Sequence, residues 1–466
     1  MTDPMDDPGH EADHSEDPSA SLEIRRAAET DVRPIAELWS QAFPGRRTIA
    51  DRIRMLESGG RYGGIETVLV ARTGDGRLAG ACKIYRMEQH IAGVAMPMMA
   101  LAAVAVPTSF RRRGIGSRLC REAIHAAVER GDVLSVLYPF RPDFYRRLGW
   151  GLVGQLHEYR FHTAALPPYP ADPRVREAGE ADAGPIAACY RRIAERSNGP
   201  VSRDHTVWTY RLSGEDLGVR PVDAGTVWAD DGNRGAIVVE HGGAVAGYAL
   251  LRTAAGSDGR GRLLDVRELL AETEEAYRAL WGYIAARRER WPRARHFARV
   301  EERFGERLID PRPPGHRSVR SLYFPTARVA RGPMLRVLDT AAALRSRRWF
   351  DRDPEGGRGG SIGITIRDPE RPDNDGPWLV RLGADAGDGA GDGAARTRGS
   401  VERGGPGAGE VSASIETDAA TFARIFAGEV PPTEAARLGH AKVGGAGPFV
   451  DDAFATRDRF WLFDEF

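Results

Sequence analysis

Cysteine is scarce in this 466-residue sequence: only Cys82, Cys120 and Cys189 occur, far apart along the chain. That spacing excludes a disulfide framework and a CxxC metal site, and it fits a reducing, cytoplasmic setting. An excess of either charge is also lacking, with 66 Lys+Arg against 66 Asp+Glu. The chain therefore has no basic surplus with which to track a phosphate backbone, and nucleic acid is not an expected partner. No apolar run approaches the roughly 20 residues of a membrane span. The N-terminus lacks the basic-then-apolar order of a signal peptide, so no membrane association is expected. There is no HExxH, and His157 and His162 share no helical face, so no metal is assigned. No GxSxG segment offers a nucleophile elbow.

The length suggests about three domains at roughly 150 residues each. Residues 1–20 carry Asp3, Asp6, Asp7, Glu11, Asp13, Glu16 and Asp17 with no Lys or Arg, and are expected to be disordered. From Leu22 the pattern turns globular. A strand over Leu22–Arg25 precedes a helix that is capped near Thr30 or Asp31 and carries Ile35, Leu38 and Trp39 on one side. Strands over Thr67–Arg72 and Leu78–Arg86 flank the turn Thr73–Arg77. The apolar run Met98–Val106 ends at Pro107, a helix runs to about Arg130 where Gly131 stops it, and a strand follows at Val133–Leu137.

A second pattern of the same outline runs from Val175 to Phe324. It has helices near Gly184–Arg196 and Glu274–Arg288 and strands at Ala236–Glu240, Val245–Thr253 and Arg262–Leu270. A third begins near Pro333, with Leu335–Leu344 expected as an amphipathic helix and Arg345–Trp349 as its solvated end. Strands follow at Ser361–Ile366, Pro377–Leu382 and Val411–Glu416, with a helix at Asp418–Ala427. Residues 383–410, rich in Gly, Ala and Asp, are expected to form a mobile loop without calcium-ligand spacing.

The chemistry concentrates at one turn. Val104-Ala105-Val106 leads to Arg111-Arg112-Arg113-Gly114-Ile115-Gly116-Ser117, inside which an amphipathic helix starts. Glycines at a strand-to-helix turn let backbone amides approach a ligand. The free amides and positive end of the helix suit a pyrophosphate, and Arg112 and Arg113 add positive charge. Downstream, Phe144-Tyr145-Arg146-Arg147-Leu148-Gly149-Trp150 follows the next strand. Tyr145 there is either a packing aromatic or a proton donor.

These two segments resemble the GNAT acetyltransferases, whose cofactor loop reads Arg/Gln-x-x-Gly-x-Gly/Ala. The resemblance implies that Val104, Ala105 and Val106 pair with the pantetheine of acetyl-CoA. It also implies that Arg112, Arg113, Gly114, Ile115, Gly116 and Ser117 hold its pyrophosphate, and that Tyr145 protonates the leaving thiolate. A phenol of pKa about 10 can donate to a thiolate whose conjugate acid lies near 8.5.

The layout from Leu22 to Phe466 is similar to the Eis family of aminoglycoside N-acetyltransferases. That similarity implies a mixed α/β fold: a catalytic GNAT domain (21–165), a second GNAT-like domain without cofactor (166–328) and a sterol-carrier-protein-like domain (329–466). It also implies a hexamer. The second turn, Ala271-Glu272-Thr273-Glu274-Glu275, repels pyrophosphate. The aromatic ending Phe460-Trp461-Leu462-Phe463-Asp464-Glu465-Phe466 should be buried, simply closing its own domain on the residues alone. By the resemblance, the C-terminal carboxylate of Phe466 takes the proton of the substrate amine, directly or through water. Asp464 and Glu465 are either a negative field for a polyamine substrate or solvated surface charge. The expected acceptor is a small cationic amine, an aminoglycoside or other polyamine. The alternatives are a protein lysine or peptide amine and, from another class, a lipid-carrying role for the third domain.

Overall fold

The computed structural model describes residues 22–45, 47–213, 234–255, 262–319, 322–350, 360–382, 396–397, 399–405 and 411–466. The acidic tail 1–20 lies outside them, as does much of the stretch 383–410. The fold is mixed α/β, with two seven-stranded sheets, one five-stranded sheet and a two-stranded ribbon among the described residues.

In the first sheet Glu23–Arg26, Val68–Arg72, Leu78–Ile91 and Val94–Ala105 run antiparallel in sequence order, and Leu134–Leu137 lies parallel to Val94–Ala105. The period of two in Val68–Arg72 divides its residues between two cores. Leu69 and Ala71 pack with Leu119, Ala123 and Ile124 of the helix Ile115–Glu129, while Val68 and Val70 pack with Ile35, Leu38 and Trp39 of the helix Val32–Ala42.

Beyond Leu134–Leu137 the sheet is completed from far along the chain. Met334–Val337 pairs antiparallel with both Leu134–Leu137 and Gly151–Leu152. The helix expected over Leu335–Leu344 is therefore a strand followed by a shorter helix, Thr340–Ser346, which the Asp339 side chain caps by accepting from Ala342 N–H at 2.9 Å. Leu335, Val337, Leu338 and Leu344 have helical spacing, but an open sheet edge captured the first part.

The second sheet repeats the plan: Arg234–His241, Ala244–Ala255 and Arg262–Ala271 are antiparallel, and Arg293–Arg299 is parallel to Arg262–Ala271. Leu156–His162 pairs with Arg293–Arg299 in this sheet, so each of the two large sheets takes a strand from a distant segment of the chain.

The third unit has the order 399–403, 376–382, 360–367, 413–418, 441–445. Gly399–Arg403 pairs with Gly376–Leu382, so part of the stretch expected to be a mobile loop is an edge strand whose Val401 is buried. Arg347, expected in a solvated helix end, is fully buried. It donates to the carbonyls of Phe426 and of Phe454, the latter at 2.6 Å, and so satisfies the ends of two helices. The helix Ala419–Phe426 and residues Met96, Met98 and Ala100 of the first sheet share one apolar core, which fixes the third unit against the first.

Candidate active site

The strand Val94–Ala105 carries a β-bulge. Ala81 faces Ala105 and Lys83 faces Ala102, so Ala103 and Val104 share a single position opposite, and Ala103 adopts φ 50°, the left-handed region that a residue with a Cβ seldom takes. The indole of Trp39 donates to the Ala103 carbonyl at 2.9 Å and holds the bulge. Pairing with Leu134–Leu137 covers only Met98–Leu101. From Ala102 onward the two strands diverge and leave one backbone edge of Val104 and Ala105 without a strand partner among the described residues.

After Pro107 a short turn leads to the helix Ile115–Glu129, with Arg112 at φ 65° and Gly114 at φ 76°. Left-handed residues at a helix start turn successive amides the same way. Ile115, Gly116 and Ser117 receive no side-chain cap, and the first turn contains no acidic residue. Arg111, Arg112 and Arg113 are exposed around it. A Cβ on Gly114 would meet nothing within 4 Å, and one on Gly116 would touch only Phe144 and Val106 at ordinary contact distances, so the approach to the amides is open. Such a turn fits a pyrophosphate.

Tyr145 sits on the short helix Pro142–Arg146, 3% exposed, in edge contact with Phe140, Phe144 and Trp150. Burial, reinforced by the Cys120 and Cys82 thiols, pushes its phenol well above the ordinary value, so the proton is in place at neutral pH. A residue of the strand Met334–Val337 positions this segment. Arg336 is fully buried, donates Nη2 to both carboxylate oxygens of Asp368 at 2.8 and 2.9 Å, and donates Nη1 to the Leu148 carbonyl at 2.7 Å. Gly149 leaves room for it, since a Cβ there would lie 1.4 Å from Arg336 Nη1. Nothing local in the sequence marks Arg336, because its partners are 188 and 32 residues away.

The ending 460–466 threads between the units. Phe460, Trp461 and Leu462 are buried, and Trp461 N–H donates to the Asn198 carbonyl at 3.1 Å. Asp464, which the sequence leaves as a field for polyamines or as solvated charge, is neither. It is 1% exposed and paired with Arg203 at 2.9 Å and Arg211 at 2.8 Å, and both arginines also bind the buried Glu268. These two guanidinium groups outweigh the cost of burial and hold the Asp464 carboxyl down to about 2. Arg203 also stacks 3.8 Å over the Tyr190 ring. The neighbouring acid, Glu465, is exposed, and its backbone carbonyl accepts from Arg61 at 2.6 Å. The Tyr138 hydroxyl donates to the Asp464 carbonyl at 2.7 Å, and its ring lies 5.5 Å from that of Phe466.

Tyr145, Val104 and Phe466 all line one cavity of about 600 Å³, together with Trp39, Lys83 and Tyr138. The remaining predicted cofactor residues, Ala105, Val106 and Arg112–Ser117, do not line it; they continue outward from its Val104 wall along the strand and turn.

Residues 23–153 match the family described as acetyltransferase (GNAT) domain, 199–337 match a second family of that description, and 340–462 match the sterol carrier protein domain. An uncharacterized N-acetyltransferase of Streptomyces avermitilis is 28% identical over 40% of this chain and 47% of its own length. One from Streptomyces griseus is 26% identical over 58% and 62%. The N-acetyltransferase Eis of Mycobacterium tuberculosis is 28% identical over 40% and 44%. The matched part thus spans about half the length of these curated relatives. Among solved structures, a GCN5-related N-acetyltransferase from Anabaena variabilis aligns with TM-score 0.74 at 16% identity, covering 96% of this chain and 100% of that one. Eis1 from Mycobacterium abscessus aligns with TM-score 0.70 at 20% identity, covering 96% and 100%.

The chain carries two acetyltransferase (GNAT) domains and a sterol carrier protein domain, and it is similar to the Eis N-acetyltransferases. The second GNAT unit of this Eis-like chain has a different helix start. Thr273 caps Glu274–Ala285 by accepting from Ala276 N–H at 3.2 Å, Glu274 pairs with Arg307 at 2.6 Å, and Glu275 pairs with Arg174 at 2.5 Å. Acidic side chains already occupy the positive end of that helix. Among the described residues of the Eis-like chain no group of three or more His, Cys, Asp or Glu could hold a metal ion, and no helix is long and apolar enough to cross a membrane.

Proposed function

We propose that the chain transfers an acetyl group from acetyl-CoA to an amine by direct attack, without a covalent enzyme intermediate. The observation that carries this is the cavity shared by Tyr145, Val104 and Phe466, next to an acid-free, uncapped helix start. Bound acetyl-CoA would supply the activated thioester carbonyl. The Val104–Val106 edge would hold the pantetheine arm and the Arg112–Ser117 amides the pyrophosphate. The carboxylate of Phe466 accepts the proton of the amine, directly or through water. An ordinary α-carboxyl of pKa about 3.5 is a weak base, so the larger part of its role is to orient the amine. Tyr145 would donate its phenol proton, or a hydrogen bond, to the leaving thiolate. Its raised pKa makes hydrogen-bond donation to the thiolate the larger part of its role.

The acceptor class implied by the resemblance is an aminoglycoside or other polyamine, with protein lysine or peptide amines as the alternative. We also propose a cytoplasmic homo-oligomer, a hexamer by the same resemblance. The three cysteines are free and buried, and the exposed apolar side chains of Ile309, Val319, Leu322, Tyr323 and Val329 suit contact with a second copy. A lipid-carrying role gains little support, because Trp349, Phe422, Phe426, Phe449 and Phe454 fill the interior of the third unit. The experiment is a screen of CoA-thiol release from acetyl-CoA over aminoglycosides, diamines and lysine peptides. Release with amines supports the reading, and a protein that binds no acetyl-CoA refutes it.

A further inference from the structure

The charge on the cavity wall does not suit a polycation. Arg47, Arg52, Arg61, Lys83, Arg211 and Arg267 line it, against the acidic side chain of Glu465 and the terminal carboxylate of Phe466. Several of these cations are already engaged. Arg211 binds Asp464 and Glu268, Arg267 lies 3.6 Å from Asp265, Arg61 donates to the Glu465 carbonyl, and Lys83 stands 5.3 Å from the rings of Trp39 and Tyr85.

Arg47 and Arg52 differ from the rest. Among the described residues neither forms an ion pair with a carboxylate within 4.0 Å. Arg52 gives one Nη to the Phe43 carbonyl at 2.8 Å, while its Nε is buried with no hydrogen-bond partner. The acid next to it in sequence, Asp51, is taken up by the Thr48 cap and by Arg54 at 2.6 Å. Burial first, then the like charge of Arg47, lowers the pKa of Arg52, which places two cations near each other at the cavity wall. A guanidinium donor left unpaired out of water is costly, and an oxyanion accepting from it would offset that cost. A polyamine would add like charge to the same wall.

We propose that the acceptor is an amine that also bears a carboxylate, seated on Arg47 and Arg52, and not a polycation. This rests on the acetyl-transfer reading above and names its substrate class. The carboxylate anchors one end of the acceptor, and the amine at the other end reaches toward Val104 and Tyr145. No group of the acceptor other than the amine changes in the reaction.

The test uses the full chain and three amines on one skeleton: benzylamine, para-aminomethylbenzoate and para-xylylenediamine, with kanamycin as a polycation. Wild type should show kcat/KM for the aminomethylbenzoate about tenfold or more above benzylamine, with the diamine and kanamycin lower still, on the scale of one charge-assisted contact. Arg47→Glu and Arg52→Gln should abolish that ratio while calorimetric affinity for acetyl-CoA stays unchanged. A preference for the diamine or kanamycin overturns the inference, as does a ratio that survives Arg47→Glu. Loss of acetyl-CoA affinity in the variants also overturns it, because these arginines would then serve the CoA phosphates. Failure of the acetyl-transfer reading is read separately, as no acetyl-CoA binding by wild type. In that event calorimetry with benzoate against benzylamine still decides this inference: benzoate binding that Arg47→Glu removes sustains it, and equal or absent benzoate binding overturns it.

Discussion

Arg203 donates Nε and Nη2 to the carboxylate of Asp464, both at 2.9 Å, with both side chains fully buried and Asp464 only two residues before Phe466. The pair, with Arg211 and Glu268, fixes where the last residues of the sequence lie relative to the cavity. Removing one member leaves buried charge uncompensated, so Asp464→Asn should destabilise the protein by about 3–5 kcal/mol. Thermal denaturation checks this, and an unchanged midpoint would mean the network does not hold the ending in place.

The same carboxyl has a pH signature. Its folded value of about 2 lies below the ordinary 3.8, so the folded state binds the proton less readily than the unfolded state. Its stabilisation is complete above about pH 4 and is lost as the pH falls toward and through about 2. Urea midpoints measured from pH 6 down to pH 3 should fall for wild type and fall less for Asp464→Asn. Parallel curves would assign the acid sensitivity to other groups.

Gly116→Asp places a carboxylate among the free amides at the start of the Ile115–Glu129 helix. Its Cβ meets Phe144 at 3.5 Å, an ordinary contact, so the variant should fold. Acetyl-CoA binding should weaken at least about a hundredfold by calorimetry, and the Arg112→Glu, Arg113→Glu double variant should behave alike. Wild-type affinity in the folded variants would remove the cofactor assignment.

Tyr145→Phe deletes one hydroxyl and keeps the ring contacts with Phe140, Phe144 and Trp150. Turnover should fall by about 10²-fold or more, with acetyl-CoA affinity little changed. Steady-state kinetics with calorimetry as control decides it, since undiminished turnover would make Tyr145 a packing residue.

Gly149→Ala tests the positioning of Tyr145 by Arg336 of the strand Met334–Val337. With φ 88° and a Cβ that would fall 1.4 Å from Arg336 Nη1, the variant should lose about 3 kcal/mol or more. Unaltered denaturation would show that Arg336 moves aside freely.

The strand-to-helix turn was legible because its signal is local: Val104–Val106, the Arg and Gly residues and the helix face lie within a short span, and each element forms for near-neighbour reasons. The tandem α/β plan was legible likewise, from the strand and helix periods around Val245–Thr253 and Glu274–Arg288. What could not be read depends on distant partners. Met334–Val337 is a strand only because Leu134–Leu137 and Gly151–Leu152 present edges to it. Arg347 is buried because two helix ends from elsewhere need donors. Asp464 is an internal ion because Arg203 and Arg211, 261 and 253 residues earlier in the chain, face it. The basic wall contributed by Arg47 and Arg52 likewise emerges only once the helix Ile49–Glu57 is packed beside the cavity.

The most direct measurement concerns Phe466. A short Gly-Ser extension replaces its free carboxylate with a neutral amide while keeping the ring, and turnover of the extended protein is compared with wild type at neutral pH. Acetyl-CoA affinity and melting temperature serve as controls. If the carboxylate takes or orients the amine proton, turnover should fall by about 10²-fold or more while acetyl-CoA still binds and the protein melts as before. Full turnover in the extended protein would contradict the terminal-carboxylate mechanism and leave Phe466 as an apolar plug beside Tyr138.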